Sequence, residues 1–465
     1  MKRLMIALAV GALVLSMAGL ASATDVNIFG ASAQFNFWSA QAPAYLTSAS
    51  GADCTGAVTT ANYVPSDNTP TGVYYHGAKY FIASASSCNA SVVPDGTLTI
   101  RVGAYDSCDG IQAILGITNL TDVAGCTGNE RAMPSSTSSP TIVSGNCYPI
   151  TLGAADVDGT SIIESDISTQ LDGPKGPVSP TYGYTLPGST GGTKINLDLG
   201  AWNAPAENYT LGWTPVDTTS PSSVFVDYHP FVLPFGFFAN KAIKTGDSSN
   251  LLAADLTNLT TNMVEEIFSG TATDWSQFGV APATCTGSNC PITICLRQPG
   301  SGTFGLFDNG VQSTNTVGPG LPSFDVTGGT NAWFNNTSGD MMNCINSIPG
   351  AIGFADADQG NSADTFGPIN FNGFSPTAVS GSTSNPNVVN GLYDRFFSLE
   401  HIFEAKANNP SNSHTVIENM VSWSYVQANN PRKNVWVISN TMQWHKSADD
   451  VYPYATGGYV EGTEY

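Results

Sequence analysis

Three segments of this chain share one pattern, in which a short apolar strand runs into a turn of small residues that opens a helix. The strands are predicted at 26–29, 98–102 and 292–296. Such a turn directs backbone N–H groups and the positive end of a helix at one point. Because alternating strands and helices favour mostly parallel sheets, whose ligands bind beyond the carboxyl ends of the strands, the pattern predicts an α/β fold with a site at these turns.

The residues of the three turns indicate how they are built. The first turn, at 30–33, precedes a helix predicted at 34–46. In the other two turns, Ser107, Ser301 and Thr303 occupy positions where side chains that cap helix N-termini occur. For Ser107 an ordinary capping role is the alternative to contact with a ligand.

The N-terminus has the features of a signal peptide over residues 1–23. Lys2 and Arg3 precede an apolar run to Leu20, and the segment ends in an A-x-A pattern at Ala23. The protein is therefore expected to be exported to the periplasm, the cell surface or the medium. No later apolar run approaches the roughly 20 residues of a membrane-spanning helix, so no insertion into a membrane is expected.

The remaining 442 residues exceed what one hydrophobic core normally organises, which predicts two lobes. Lobe 1 is predicted to comprise 24–228 and 352–465, and lobe 2 to comprise 229–351. The chain is expected to cross between them near 225–235 and 350–356. Stretches rich in Ser, Thr, Pro and Gly are predicted to be loop insertions in lobe 1, at 48–75, 126–150 and 170–222. Further helices are predicted at 255–268, 388–407 and 415–428, and a strand at 435–439.

The charge of the chain limits its partners. The formal net charge is −21, and it becomes −23 without Lys2 and Arg3, so neither nucleic acid nor an anionic membrane surface is expected to bind. If the ligand is an anion, its site must overcome this field locally. Arginines are scarce, which makes the position of Arg297 directly after the third strand informative.

Nine cysteines follow residue 23, and an exported protein is expected to pair them as disulfides. Cys285 and Cys290 bracket a short hairpin and are predicted to pair, and a bond from Cys54 to Cys88 is plausible. The other pairings stay open, and one cysteine is left over. A metal cluster through four cysteines is disfavoured because no C-x-x-C spacing or nearby histidine supports it; its members would be Cys285, Cys290, Cys295 and Cys344.

The third turn carries the most specific motif, R-Q-P-G-S-G-T at 297–303, which is similar to the R-x-D-G-S-G-T loop of phosphate-binding proteins. Four further segments match motifs of the same proteins in the same order, at 30–35, 153–156, 267–275 and 349–354. The chain therefore resembles the phosphate ABC transporter substrate-binding proteins of the type II periplasmic-binding superfamily. The resemblance implies two lobes, each with a mostly parallel sheet flanked by helices.

The resemblance also implies an oxyanion site in the cleft between the lobes, with inorganic phosphate as the first candidate and an ABC permease as a partner. The implied ligand-binding residues are Gln34, Phe35, Ser107, Asp156, Arg297, Ser301, Gly302 and Thr303. Pro299 and Gln34 depart from the family pattern. A different oxyanion, or a secreted or surface protein of this fold that has lost or changed its ligand and serves a non-transport role, remains the alternative.

The chemistry of phosphate assigns roles within this set. Arg297 offers a planar fork for two anion oxygens, and Asp156 can accept the proton that phosphate carries and sulfate lacks. Asp156 also lies in D-V-D-G, which could be a fragment of a calcium-binding loop. Residues 356–360 could likewise be such a fragment, or they could form a solvated turn.

Catalysis is not expected. The five histidines are scattered along the chain, no H-E-x-x-H or G-x-S-x-G motif occurs, and Ser301 has no identifiable base. No cofactor and no metal ligand set are predicted, and the protein is expected to be a monomer.

Overall fold

The computed structural model of the chain describes residues 23–64, 78–117, 125–143, 145–159, 225–247, 250–282, 291–297, 301–312, 331–335, 337–360, 364–393, 395–405, 411–446 and 454–455. The predicted signal peptide, the pairing of Cys285 with Cys290 and the insertion at 170–222 lie outside the described residues. Within the described ranges, no helix has the length and apolar character needed to cross a bilayer.

The strands are, in chain order, β1 (Thr24–Ala31), β2 (Thr59–Tyr63), β3 (Lys79–Ser86), β4 (Thr97–Tyr105), β5 (Glu130–Ala132), β6 (Cys147–Pro149), β7 (Leu152–Ala155), β8 (Phe225–Tyr228), β9 (Phe231–Asn240), β10 (Ile243–Asp247), β11 (Asn250–Asp255), β12 (Asn258–Leu259), β13 (Val280–Pro282), β14 (Thr293–Arg297), β15 (Asn331–Asn335), β16 (Ala351–Asp356), β17 (Thr365–Phe371), β18 (Phe397–Leu399), β19 (His401–Ala405), β20 (Val437–Ile438), β21 (Trp444–His445) and β22 (Tyr454–Ala455). The α-helices are α1 (Phe35–Thr47), α2 (Ser107–Ile114), α3 (Thr261–Phe268), α4 (Gly302–Leu306), α5 (Ser338–Ser347), α6 (Pro386–Val389) and α7 (Ser411–Ser424).

The first lobe is built on a seven-stranded sheet with the order β2-β3-β4-β1-β7-β19-β8. Its central strands β4, β1 and β7 are parallel. The flanking strands β3 and β19 run antiparallel to them, and the edge strands β2 and β8 pair antiparallel with β3 and β19. The buried residues of β1 and β4 reflect this position, because strands covered on both faces read as nearly continuous apolar runs.

The second lobe is built on an eight-stranded sheet, in which β12-β17-β9-β16-β14-β15 follow in order and β18 and β20 add to β9. Strands β15, β14 and β16 are parallel, and β9 runs antiparallel to β16. The predicted two-lobed α/β fold is therefore confirmed, with mixed sheets whose central strands are parallel.

Two crossovers between the lobes lie side by side, and a third connection leads from β19 through α7 to β20. The chain leaves the first sheet after β8 and enters the second at β9; it returns between β18 and β19, through Glu400. The Glu400 N–H donates to the Phe231 carbonyl oxygen at 3.1 Å. The first crossover lies where the sequence predicted it, whereas the sheets place the return at 399–401 and not at 350–356.

Aromatic side chains fill the space beneath the site in the second lobe. Phe307 stacks on Phe354 with ring centroids 4.2 Å apart, and Phe268 packs edge-on against Phe307 at 4.8 Å. At the first crossover, the Phe37 and Phe231 rings lie 3.9 Å apart. Such pairs add to the apolar area that the core removes from water, so they fix the strands that carry the site.

One predicted helix is wrong. The segment 388–407 contains only the end of α6, followed by β18 and β19. Phe396 and Phe397 belong to short apolar runs that pair with β9, and the next run pairs with β7 and β8. Pairing with neighbouring strands decides the structure of such short runs, which helical spacing does not distinguish. The helix predicted at 255–268 begins only at Thr261, after β11 and β12.

Three disulfides are present in the described part of the chain. Cys54 pairs with Cys88 as expected, Cys126 with Cys147, and Cys295 with Cys344. The bond between Cys295 and Cys344 rules out the four-cysteine metal cluster considered from the sequence. Among the described cysteines, Cys108 is buried and takes part in no disulfide.

Removing the bond between Cys295 and Cys344 is expected to weaken both stability and anion binding. This bond ties β14, which ends in Arg297, to α5, which begins at Ser338. The Cys295→Ala/Cys344→Ala variant should lose about 2–4 kcal/mol of unfolding free energy, because its unfolded chain gains freedom. Denaturant unfolding and phosphate titration measure the two effects. The control Cys126→Ala/Cys147→Ala should lose stability alone, and equal loss of affinity in both variants would contradict the account.

Candidate functional site

The site lies where the carboxyl edges of the two sheets face each other. In the first lobe, β1, β4 and β7 end next to one another, and they are followed by Ser32, Ser107 and Asp156. In the second lobe, β14, β15 and β16 end in the same way and contribute the residues Arg297, Ser301, Gly302, Thr303, Ser338 and Asp356. The three turns that the sequence singled out therefore meet at one place, as parallel strands require.

Direct contacts join the two lobes at this place. The Thr303 hydroxyl donates to Asp156 Oδ2 at 2.7 Å, and the Ser32 and Ser338 hydroxyls lie 3.2 Å apart. Gly302 lies so close to the first lobe that a Cβ there would be 2.4 Å from Ser107 Oγ. The lobes are thus closed on each other.

Arg297 brings a positive charge into the closed cleft. Only 1% of the residue is exposed, and its Nη1 donates to Ser338 Oγ at 3.1 Å. Desolvation lowers the pKa of Arg297, while the nearby carboxyls of Asp156, Asp106 and Asp356 oppose that shift. Because a buried charge is stable only when it is paired, these carboxyls are the partners that allow the guanidinium to be buried.

Asp156 is a hydrogen-bond acceptor at the contact between the lobes. Its N–H donates to Ser107 Oγ at 3.0 Å, and its carbonyl oxygen accepts from the Ser398 hydroxyl. Its Oδ1 is buried and has no hydrogen-bond partner among the described residues. Burial raises the pKa of Asp156, whereas Thr303 and Arg297 lower it. The Asp156 carboxyl thus accepts from Thr303 through Oδ2 and lies beside the Glu400 carboxyl.

Glu400 is a site residue that the sequence analysis missed. It lies on the return crossover, is fully buried, and neither of its carboxyl oxygens has a hydrogen-bond partner in the described ranges. Burial raises the pKa of Glu400 well above its usual value, and the charge of Asp156 raises it further. A single glutamate between two short strands carries no recognisable motif, so no signal pointed to it.

Asp356 and Asp358 are buried and do not form the solvated turn that was one expectation. Gln359 Nε2 donates to Asp356 Oδ2 at 2.7 Å, and Trp436 Nε1 donates to Asp358 Oδ2 at 3.1 Å. Burial raises the pKa of Asp356 well above its usual value, and Asp358 adds to this shift. The apparent calcium-loop fragment is thus part of the cleft wall.

Ser338, the partner of Arg297, was also missed, although a signal for it exists. Thr337 caps α5, since its side chain accepts from the Asp340 N–H at 3.2 Å. A threonine three residues before an aspartate is a helix-start pattern that reading the segment 335–340 could have recognised.

The other predicted residues divide into two groups. Ser301 is the expected N-cap, accepting from the Phe304 N–H at 3.3 Å, whereas the N-cap of α2 is Asp106 and Ser107 is the first helical residue. The Gln34 side chain donates to the carbonyl oxygens of Ala155 and His401 at 3.0 and 2.9 Å. It also accepts from Trp38 Nε1 at 3.2 Å, so the polar atoms of the Gln34 side chain form hydrogen bonds within the first lobe. Phe35 begins α1 and is 9% exposed.

Two histidines that are scattered in the sequence come together in the structure. His229, between β8 and β9, and His401, at the start of β19, both contact Asp227. Their separation by 172 residues explains why spacing along the sequence could not reveal the cluster.

The close approach of Gly302 to the first lobe predicts a sensitive position. In Gly302→Ala, the new Cβ would meet Ser107 Oγ and the Asp156 Cβ at 2.4 and 3.0 Å, so the lobes cannot close as observed. Phosphate affinity should fall by about tenfold or more, because imperfectly closed hydrogen bonds lose about 1–2 kcal/mol. Calorimetric titration measures the change.

The matched control for Gly302→Ala is Gly339→Ala, also in the first turn of a helix at this edge, where a Cβ would make ordinary contacts at 3.6 Å with Lys79 and Thr337 Oγ1. It should bind like the wild type. Unchanged affinity in Gly302→Ala would show that closure at this contact is not needed.

Comparisons with known proteins match part of the chain to a sequence profile and the fold to several solved structures. Residues 233–386 match the sequence profile described as a PBP superfamily domain. The chain is similar, at 12% identity and a TM-score of 0.43, to a Clostridium perfringens structure with bound phosphate that is described as a phosphate ABC transporter substrate-binding protein; the match covers 88% of this chain and 99% of that one. It is also similar to a phosphate-binding protein from Stenotrophomonas maltophilia, at 12% identity, a TM-score of 0.39 and coverage of 87% and 84%. An ABC-type phosphate transport receptor from Vibrio cholerae matches 45% of this chain and 75% of its own at 17% identity and a TM-score of 0.30.

Proposed function

We propose that the protein is an exported solute-binding protein that holds an oxyanion, inorganic phosphate above others, in the cleft between its lobes. The observation that carries the proposal is the buried Arg297 guanidinium at a cross-lobe contact between Thr303 and Asp156. A cation, hydroxyl donors and one carboxylate acceptor meet there, which is the donor and acceptor set that hydrogen phosphate requires.

Phosphate would replace the direct bond between the lobes by two bonds. The Thr303 hydroxyl, which now donates to Asp156, would donate to a phosphate oxygen. The proton of hydrogen phosphate would then be donated to the Asp156 carboxylate, so no buried group loses a partner. Arg297 Nη1, now on Ser338 Oγ, supplies the charge for the remaining oxygens.

Sulfate would not complete this exchange, because it carries no proton at neutral pH. Thr303 would donate to sulfate, and Asp156 would face a second negative charge without a donor between them. Two negative charges in contact repel each other strongly in a buried site, so the site should select phosphate.

Release of the anion requires the lobes to separate. Two of the backbone links between the two large sheets lie side by side, and a third leads from β19 through α7 to β20. The two crossovers at 229–230 and at 400 are short, which favours a hinge.

The predicted export and an ABC permease that receives phosphate from the closed form belong to this proposal, as does the absence of catalysis.

Small-angle scattering tests the hinge. After the bound ligand is removed by unfolding and refolding, the ligand-free protein should have a larger radius of gyration than the same protein with excess phosphate, and sulfate should leave it open. Identical profiles in phosphate, in sulfate and without anion would contradict both closure and selection.

A further inference from the structure

A second cluster of chemically active side chains lies outside the anion cleft, where the two crossovers meet. Asp227 Oδ2 lies 3.0 Å from His229 Nε2 and 2.8 Å from His401 Nδ1. The two histidine nitrogens are 3.0 Å apart, and their rings are perpendicular. Three atoms that carry lone pairs thus form a nearly equilateral triangle.

Hydrogen bonds alone do not satisfy this triangle. Asp227 Oδ2 can accept from both rings, but then the two N–H groups point at each other across 3.0 Å. If one of the two ring nitrogens is unprotonated, it can accept from the other ring, but its contact with Asp227 Oδ2 then has no proton between the two atoms. Asp227 Oδ1 is in addition buried and without a partner among the described residues. A cation in the triangle would satisfy all three lone pairs and neutralise the carboxylate.

We propose that Asp227, His229 and His401 bind a divalent transition-metal ion. Two imidazoles and one carboxylate form a ligand set that suits first-row transition metals, with positions left open for water. An octahedral ion with bonds of about 2.1 Å holds neighbouring ligands about 3.0 Å apart, and tetrahedral zinc with bonds of about 2.0 Å holds them about 3.3 Å apart. The observed separations of 2.8 to 3.0 Å match the distance between neighbouring ligands of an octahedral ion, so the three side chains would move little on binding.

The backbone around the cluster is fixed by further hydrogen bonds. The carbonyl oxygen of His401 accepts from Gln34 Nε2 at 2.9 Å, and that of His229 accepts from Ser439 Oγ at 2.5 Å. The His401 ring stacks on Phe403 with centroids 5.4 Å apart. Contacts of this kind orient metal ligands before the ion arrives.

The position of the cluster indicates what the ion would do. His229 lies on the outgoing crossover and His401 directly follows the return crossover, so an ion bound to both joins the two hinge segments. It stabilises the folded protein by mass action, because the three ligands come together only on folding. The proposal is independent of the anion in the cleft.

Titration of the untagged protein without residues 1–23, treated with chelator and desalted, tests the site. ZnCl2 and NiCl2 are each expected to bind at one ion per chain and to raise the thermal unfolding midpoint, whereas MgCl2, which prefers oxygen ligands, should do neither. His229→Gln should lose more than about tenfold in affinity, the least that loss of even an outer-shell contact costs. Equal stabilisation by MgCl2, or unchanged zinc affinity in His229→Gln, would overturn the proposal.

The matched control is His414→Gln, because His414 also contacts carboxylates, with Nδ1 at 2.6 Å from Glu404 Oε1, but stands apart from the triangle. It should bind zinc like the wild type. Asp227→Asn provides a second variant that keeps the side-chain shape, and its unfolding midpoint in chelator shows whether it folds. Folded Asp227→Asn that binds zinc with wild-type affinity would also overturn the proposal.

Discussion

Arg297→Met is expected to reduce phosphate affinity by about a hundredfold or more. The guanidinium is the cation buried in the cleft, and its loss removes charge-assisted hydrogen bonds of about 1.5–3 kcal/mol each. Methionine fills a similar volume, and burial, which raises the pKa of Asp156 and Asp356, favours the neutral form of these carboxyls beside it. The variant should therefore remain folded while it loses the anion, as calorimetric titration and thermal unfolding would measure.

Two further variants sharpen the result for Arg297. Arg297→Lys keeps the charge without the planar fork and should recover only part of the affinity. Arg432→Met removes a half-exposed arginine whose guanidinium bonds the Asp358 carbonyl oxygen, and it should bind phosphate like the wild type. Equal affinities for Arg297→Met and Arg432→Met would refute the role of Arg297.

Asp156→Asn is expected to abolish the preference for phosphate over sulfate. The carboxylate accepts the phosphate proton and repels sulfate, whereas the amide can donate to either anion. Phosphate affinity should fall by about tenfold or more, sulfate affinity should rise, and the ratio measured by paired titrations should approach one. An unchanged ratio would mean that another group discriminates between the anions.

The pH dependence of sulfate binding tests the same carboxyl. Because burial raises the pKa of Asp156, lowering the pH protonates it early, and a protonated carboxyl can donate to sulfate. Sulfate affinity of the wild type should therefore rise as the pH falls through this raised pKa, and that of Asp156→Asn should change much less.

The raised pKa also has a consequence for stability. A carboxyl whose pKa is higher in the folded than in the unfolded state stabilises the fold fully below the unfolded pKa, and this stabilisation is lost as the pH rises through the folded pKa. Ligand-free Asp156→Asn should consequently unfold at a higher temperature than the wild type at neutral pH. Glu400→Gln is the matched comparison, because burial raises the pKa of Glu400 as well, so this variant should also unfold at a higher temperature than the wild type at neutral pH.

The strand–turn–helix units were predictable because local patterns determine them. Arg297 ends a buried strand, Ser301 and Thr303 come soon after it, and parallel strands bring such strand ends to one edge. The second crossover was not predictable, since β18 and β19 are short runs whose structure depends on pairing with β9, β7 and β8. Glu400 and the triangle at Asp227 were missed for the same reason: they form only when the two crossovers lie side by side.

Calorimetric titration of the ligand-stripped, refolded protein with inorganic phosphate at neutral pH tests the central proposal most directly. The wild type should bind one phosphate per chain with saturable heat, and Arg297→Met, folded by circular dichroism, should bind none at the same concentrations. A folded wild type that gives no saturable heat, or an Arg297→Met variant that binds phosphate equally well, would contradict the proposal that the cleft is an oxyanion site.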